Sequence, residues 1–261
     1  MKNSLSILTV PAFDDNYLWI IHDGHTAVVV DPGDAVPVEE ALQKRHLALS
    51  AILITHHHGD HTGGISALLK KHAVPVYGPA HPAIPSVSHV VGNAQQIHLP
   101  SPDCLLQVIT VPGHTREHVA YFCPDQKWLF CGDTLFAGGC GRLFDGTPAQ
   151  MLHSLDTLCS LPDQTLVYCA HEYTLANLRF AAAVEPHNQI LQQRSLDEQN
   201  KRNQGIPTVP SSLELEKQTN PFLRIRETSV VNTLLVQGKI PFPQDDISHF
   251  AALREWKNHF A

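Results

Sequence analysis

The chain has 261 residues, 43% of them hydrophobic, with a formal net charge of −7 and 18 histidines. That length and apolar content bury a substantial core without disulfide staples, as one large domain or one domain with a small appendage. The acidic balance argues against a protein whose main partner is nucleic acid, and an anionic substrate would need a local basic patch.

The first residues lead into a short strand-like run containing Pro11 and Asp14, with neither the apolar core of a signal peptide nor a membrane span, so a soluble cytoplasmic protein is expected. Apolar runs rich in Val, Ile and aromatics follow at 18–21, 27–30, 49–54, 108–111, 119–122, 128–131 and 166–169, and they predict strands. Segments with helical spacing and few breakers predict helices at 38–44, 65–71, 149–158 and 175–184. Together they predict sheets covered by helices, an α+β chain. After about Pro186 the composition turns polar and rich in Gln, Asn, Arg and Glu, passes a loop marked by Pro207 and Pro210, and ends in shorter amphipathic segments. A small helical domain over 186–261 is expected to follow a larger one over 1–185. The six cysteines form no CxxC pair and read as reduced core thiols, Cys140 in its glycine-rich loop included.

The chemistry gathers in Thr55-His56-His57-His58-Gly59-Asp60-His61, which follows directly on a predicted strand. Imidazole and carboxylate in so short a stretch suit zinc, iron or manganese, and they lie close enough to serve one ion or two neighbouring ions. Further candidate ligands also follow predicted strands: His114 in Pro112-Gly113-His114-Thr115, Asp133 in Gly132-Asp133-Thr134, and His171. Loops at one end of neighbouring strands can share a single cleft, and Gly113 and Gly132 let the backbone turn sharply before a ligand. His22, His25, His46, His72, His187 and His259 read as ordinary surface or core histidines. A purely structural zinc site would more often use cysteine thiolates and close every coordination position, whereas nitrogen and oxygen donors leave room for water and reaction.

In order and separation, THHHGDH, PGHT, GDT and AHEY resemble the metallo-β-lactamase superfamily, and Val30-Asp31-Pro32-Gly33-Asp34 resembles its first motif. Within that superfamily the chain resembles the glyoxalase II, or hydroxyacylglutathione hydrolase, family. This second likeness rests on 11–17, 130–136, the Gly139-Cys140-Gly141-Arg142 loop running on through Phe144 to Thr147, His171-Glu172-Tyr173-Thr174 and Asn220-Pro221-Phe222-Leu223-Arg224. The resemblance implies a four-layered αββα sandwich with a metal cleft at one rim and a helical C-terminal domain that helps to hold substrate. It implies two divalent ions, zinc before iron or manganese, with His56, His58 and His114 on the first, Asp60, His61 and His171 on the second, and Asp133 bridging both. Asp60 would also orient the attacking solvent, and Asp31 would support a ligand from behind. Glutathione would be received by Arg142, Phe144, Tyr173, Arg254 and Lys257. Phe144 stands where some relatives have tyrosine, so a hydrogen bond worth about 0.5–1.5 kcal/mol would be absent there.

The implied activity is hydrolysis of S-D-lactoylglutathione and related 2-hydroxyacyl thioesters to a hydroxy acid and glutathione, the second step of methylglyoxal detoxification, in a monomer with no nucleic-acid or membrane partner. A thiol of pKa about 8.5 leaves readily as thiolate, so no dedicated general acid is needed. The alternatives are a persulfide dioxygenase using one iron, against which the full second set Asp60, His61 and His171 weighs, another hydrolase of the fold, and a metal-storage module, which predicts closed coordination and no turnover.

Overall fold

In the computed structural model, which describes residues 4–260, β1 (Ser6–Ala12) turns back through Phe13 at a φ of 52° into β2 (Asn16–His22), and β3 (Thr26–Val30) continues the antiparallel ladder. Helix α1 (Ala35–Arg45) starts where the Asp34 side chain accepts the Val36 N–H and stops at His46 in the left-handed conformation, so both ends have partners for backbone groups that the helix itself leaves unpaired. This crossover lets β4 (Ala48–Leu53) run parallel to β3. Beyond the short helices α2 (Gly59–Thr62) and α3 (Ile65–Leu69), β5 (Val76–Gly78) and β6 (His89–Val90) complete a sheet in the order β1-β2-β3-β4-β5-β6.

A second run of strands, β7 (Gln96–Pro100), β8 (Asp103–Thr110), β9 (Val119–Cys123) and β10 (Trp128–Gly132), is antiparallel throughout. Every residue of β9 and β10, and nearly every residue of β2 and β3, is buried. Strands covered on both faces read as continuous apolar runs, which is why these four were legible in the sequence. The strand runs meet at the end of β4, where the Val119 N–H donates to the Thr55 carbonyl at 2.9 Å and the Tyr121 hydroxyl to the Ile54 carbonyl at 2.8 Å. Burial pushes the Tyr121 hydroxyl well above its ordinary pKa, so it remains a donor. The loop that follows β4 thus leaves a fixed point. These elements, the described residues through Thr110 together with Glu117–Gly132, make one compact unit.

The other compact unit takes Val111–Arg116 and the chain from Asp133 onward. It opens with the hairpin of β11 (Leu135–Phe136) and β12 (Gly139–Cys140), then α4 (Pro148–Cys159), started by a Thr147/Gln150 capping box with Pro148 in its first turn. Strand β13 (Leu166–Cys169) is followed by α5 (Thr174–Val184), α6 (Gln189–Asn203), β14 (Ser211–Ser212) beside β13, α7 (Leu213–Thr219), α8 (Thr228–Val236) and α9 (Asp246–Asn258). Packing groups 133–185 with the C-terminal helices in this unit. Phe180 of α5 anchors those helices, its ring meeting Phe222, Trp256 and Phe260 at centroid distances of 6.0, 5.3 and 5.2 Å.

Helix α6 carries little apolar pattern because much of its buried face is polar: Arg194 is buried and donates to Thr219 Oγ1 and to the buried carboxylate of Glu216. Among the described residues no helix is long and apolar enough to cross a membrane.

Candidate metal centre

The first compact unit brings His56, His58, Asp60 and His61 together. Thr55 ends the buried run that β4 starts, so His56, fully buried, leaves the sheet from a rigid base. His56 Nε2 lies 3.1 Å from His58 Nδ1, and the His56 and His61 ring centroids are 4.1 Å apart. The α2 turn, held by the Thr62 hydroxyl on the His58 carbonyl at 2.9 Å, carries Asp60 and His61, with His61 Nε2 3.4 Å from Asp60 Oδ2. Asn16 Nδ2 donates to that same Asp60 oxygen at 3.0 Å and fixes the carboxylate.

Behind these groups stands Asp31, 3% exposed, at a φ of 51°. Its Oδ1 accepts the Thr55 N–H at 2.7 Å, and its Oδ2 accepts the Thr55 hydroxyl at 2.7 Å and His61 Nδ1 at 3.0 Å. A carboxylate can only accept, so His61 carries its proton on Nδ1 and presents the Nε2 lone pair forward. Thr55, having given its one proton to Asp31, accepts from His56 Nδ1 at 3.0 Å, so His56 also presents Nε2. One carboxylate thereby sets the tautomer of two candidate ligands.

The second unit brings His114, Asp133 and His171 together. Asp133 Oδ2 lies 3.4 Å from His114 Nε2 and its Oδ1 3.4 Å from His171 Nε2, one oxygen toward each imidazole. His114 Nδ1 donates to the Arg142 carbonyl at 2.8 Å, so its lone pair is on Nε2. Two ligands about 2.0–2.1 Å from one tetrahedral zinc ion stand about 3.4 Å apart. The 3.4 Å spacings of His61 from Asp60 and of His114 and His171 from Asp133 are therefore those of ligands sharing an ion, and the Nδ1 atoms of His56, His61 and His114 are held by a hydroxyl, a carboxylate and a carbonyl, the usual support of metal-binding histidines. The residues present fit a divalent metal. The triad of His57, His81 and Glu117 fits one poorly, since the His57 and His81 rings stack at 3.8 Å and 13° and His81 Nδ1 already accepts the Ala83 N–H.

Gly132 and Gly141 are required by the backbone. Gly132 has a φ of 49°, and a Cβ there would overlap Thr55 Oγ1; a Cβ on Gly141 would overlap the Asp133 carbonyl. Left-handed backbone costs a residue with a Cβ about 1–2 kcal/mol before any clash. Gly132→Ala is expected to lower the thermal midpoint by roughly 4 °C or more and to disturb the Thr55 hydroxyl that holds His56. A calorimetric scan with the wild-type midpoint would contradict this.

The residues expected at substrate lie mostly in the second unit's loops and last helix. The Tyr173 ring stacks on His171 at 4.6 Å and 6°, and Phe144, 66% exposed, meets His114 edge-on at 5.2 Å. Arg142 is exposed. Arg254 is buried: Nη1 donates to the Cys140 carbonyl at 2.8 Å, Nε to Asn258 Oδ1 at 3.1 Å, and the guanidinium lies 4.9 Å from the Phe222 ring centroid. Lys257, one turn on, reaches the Ala176 carbonyl at 3.4 Å, and burial, then the charges of Arg254, Arg179 and Arg142, lower its pKa to about 8. The Cys140 thiol is pushed up by burial, as suits a packed thiol rather than a nucleophile. Asn16 and Thr55 carry no local sequence signal of their roles, since their importance lies in hydrogen bonds to Asp60 and Asp31, far along the chain.

Comparison with known proteins places the chain in a family. The metallo-beta-lactamase superfamily model matches residues 12–99 and 101–171, and the model of the hydroxyacylglutathione hydrolase C-terminus matches 172–260. A hydroxyacylglutathione hydrolase of Albidiferax ferrireducens is 54% identical over 98% of this chain and 100% of its own length, and one of Nitrosomonas eutropha is 48% identical over 98% and 99%. The crystal structure of the BLEG-1 B3 metallo-beta-lactamase, 23% identical, covers 84% of this chain and 99% of its own with a TM-score of 0.63. The α+β fold is thus the metallo-β-lactamase fold with a helical C-terminal region, and its metal site is matched here by clusters of His and Asp. The chain belongs to the hydroxyacylglutathione hydrolase family of the metallo-β-lactamase superfamily.

Proposed function

We propose that this protein is a hydroxyacylglutathione hydrolase that cleaves the thioester of S-D-lactoylglutathione, and of related S-2-hydroxyacylglutathiones, to D-lactate or its analogue and glutathione. The observation that carries this is a donor set of imidazoles and carboxylates without thiolate, in a chain about half identical to hydroxyacylglutathione hydrolases over nearly its whole length. His56, His58 and His114 would hold one divalent ion, Asp60, His61 and His171 a second, and Asp133 would serve both. Zinc suits these ligands, and iron or manganese is also accepted. Two bound divalent ions supply an activated solvent nucleophile and Lewis-acid stabilisation of the acyl oxygen.

The chain's own groups prepare that chemistry. Asn16 holds Asp60 so that its carboxylate orients the nucleophile, and Asp31 keeps His56 and His61 from presenting a protonated Nε2. Tyr173 and Phe144 offer ring faces, and Arg142, together with Arg254 and Lys257 from a C-terminal domain over 186–261 that serves a catalytic domain over 1–185, receives the two carboxylates of glutathione. The leaving thiolate needs no proton from the protein. The enzyme acts as a cytoplasmic monomer in the second step of methylglyoxal detoxification.

Zinc-reconstituted protein given S-D-lactoylglutathione is expected to release D-lactate and free thiol in equal amounts without consuming oxygen. Oxygen uptake with an intact thioester would replace this reading with the persulfide-oxidising one.

Lys257 adds a pH dependence. A lysine whose pKa has fallen to about 8 is a cation below that pH and neutral above it, so kcat/KM for a glutathione thioester falls as pH rises through about 8. Lys257→Met is expected to raise KM by about tenfold or more at pH 7, the scale of a lost charge-assisted hydrogen bond, and to flatten that part of the profile. A variant that keeps both KM and the alkaline fall would remove Lys257 from substrate binding.

A further inference from the structure

We propose that Asn220 is a positioning residue for the metal ligand His114, acting through the ribbon 136–142; the inference rests on the reading of His114 as a ligand. Asn220 belongs to the Asn220-Pro221-Phe222-Leu223-Arg224 stretch and is fully buried. Its Nδ2 donates to the Gly139 carbonyl at 2.9 Å and to the Phe136 carbonyl at 3.2 Å, and its Oδ1 accepts the Phe222 N–H at 3.1 Å. An amide has two N–H donors, so one side chain answers both carbonyls of the β11–β12 hairpin. Glu216 completes the clamp: its Oε2 accepts the Gly138 N–H at 2.8 Å and lies 3.1 Å from Asn220 Nδ2, while its Oε1 takes Ser211 and Arg194.

From this clamp the ribbon runs straight to the metal ligands. The Cys140 carbonyl is held by Arg254 at 2.8 Å, and Gly141 is pressed so closely on the Asp133 carbonyl that no side chain fits. The next residue, Arg142, presents the carbonyl that receives His114 Nδ1. At the ribbon's other end the Phe136 ring meets His171 edge-on at 5.8 Å. A chain tied at 136, 138, 139 and 140 has little freedom left at 142, so the direction of the Arg142 carbonyl, and with it the tautomer and aim of His114, is fixed from a residue that is not itself among the proposed metal ligands. A direct hydrogen-bond partner of a metal ligand typically carries tenfold to hundredfold in affinity, and Asn220, which acts through such a partner, carries a share of that.

The test compares Asn220→Ala with Asn188→Ala in the full chain. Asn188 caps α6 and donates to the Gln218 carbonyl, so its loss destabilises the same helical region without contact to the ribbon. Zinc affinity is read by chelator competition, folding by thermal unfolding, and the state of His114 by its imidazole 15N shifts in zinc-loaded protein. Asn220→Ala is expected to unfold cooperatively yet bind zinc up to about 10-fold more weakly, the lower end of the effect of a direct ligand partner, with altered His114 shifts, while Asn188→Ala keeps wild-type zinc affinity and shifts. Should Asn220→Ala fail to fold, Asn177→Ala, which removes the donor to the Ala137 carbonyl in the same ribbon, is expected to weaken zinc in the same direction. Wild-type zinc affinity in the folded ribbon variant, or equal weakening in Asn188→Ala, would overturn the proposal. A wild-type protein that binds no zinc would instead overturn the metal centre itself, and a zinc-binding protein without thioesterase activity would leave Asn220's role standing.

Discussion

Asp133→Ala is expected to hold no more than one zinc ion per chain and to lose thioester hydrolysis by at least about 10³-fold, since charge stabilisation by metal ions is worth several kcal/mol. The reason is in the geometry of a single carboxylate. Its two oxygens face two different imidazoles, His114 and His171, each at 3.4 Å from Nε2. Alanine leaves both imidazoles in place and removes the anion that links them. Asp133→Asn separates charge from shape, because the amide keeps one oxygen but offers N–H groups where a ligand is needed. Metal analysis beside steady-state kinetics is the check. Two tightly held ions and near-native turnover in Asp133→Ala would mean that this carboxylate does not bridge.

Asp31→Asn comes next in size, although Asp31 is not among the proposed metal ligands. Asparagine tolerates the left-handed backbone at φ 51°, so the fold is expected to survive. Its amide can satisfy the Thr55 N–H with its oxygen, but the nitrogen then faces the Thr55 hydroxyl and His61 Nδ1, both of which now must accept. A His61 that accepts at Nδ1 carries its proton on Nε2, the atom that faces Asp60 at 3.4 Å. His56, which depends on the same hydroxyl, loses its fixed tautomer. Zinc affinity is expected to fall by about 10–100-fold, and chelator competition on the folded variant measures it. Unchanged affinity would show that Asp31 supports the fold and not the ligands.

How much of this was legible depends on what kind of contact makes each feature. The buried strands β2, β3, β4, β9, β10 and β13 announce themselves as apolar runs because both faces of most of them are covered, and the donors that follow them stand out as His and Asp directly after such runs. Strand β7 shows no apolar run because only Ile97 and Leu99 of its five residues are buried. Helix α6 showed no apolar stripe because Arg194 and Glu198 occupy its buried side. The roles of Asn16, Thr55 and Asn220 were out of reach for a different reason: each holds a partner between 24 and 84 residues away, and no local pattern records such a bond. Arg254 shows the converse. A cation on a C-terminal helix face reads as exposed, yet here it is buried against Phe222 and braces the Cys140 carbonyl.

The measurement that bears most directly on the whole account is kcat/KM of metal-analysed protein on S-D-lactoylglutathione, beside a thioester of the same acyl group on a small thiol and a chelator-treated control. A strong, chelator-sensitive preference for the glutathione thioester is the predicted result. No thioester hydrolysis by protein holding two metal ions per chain would contradict it.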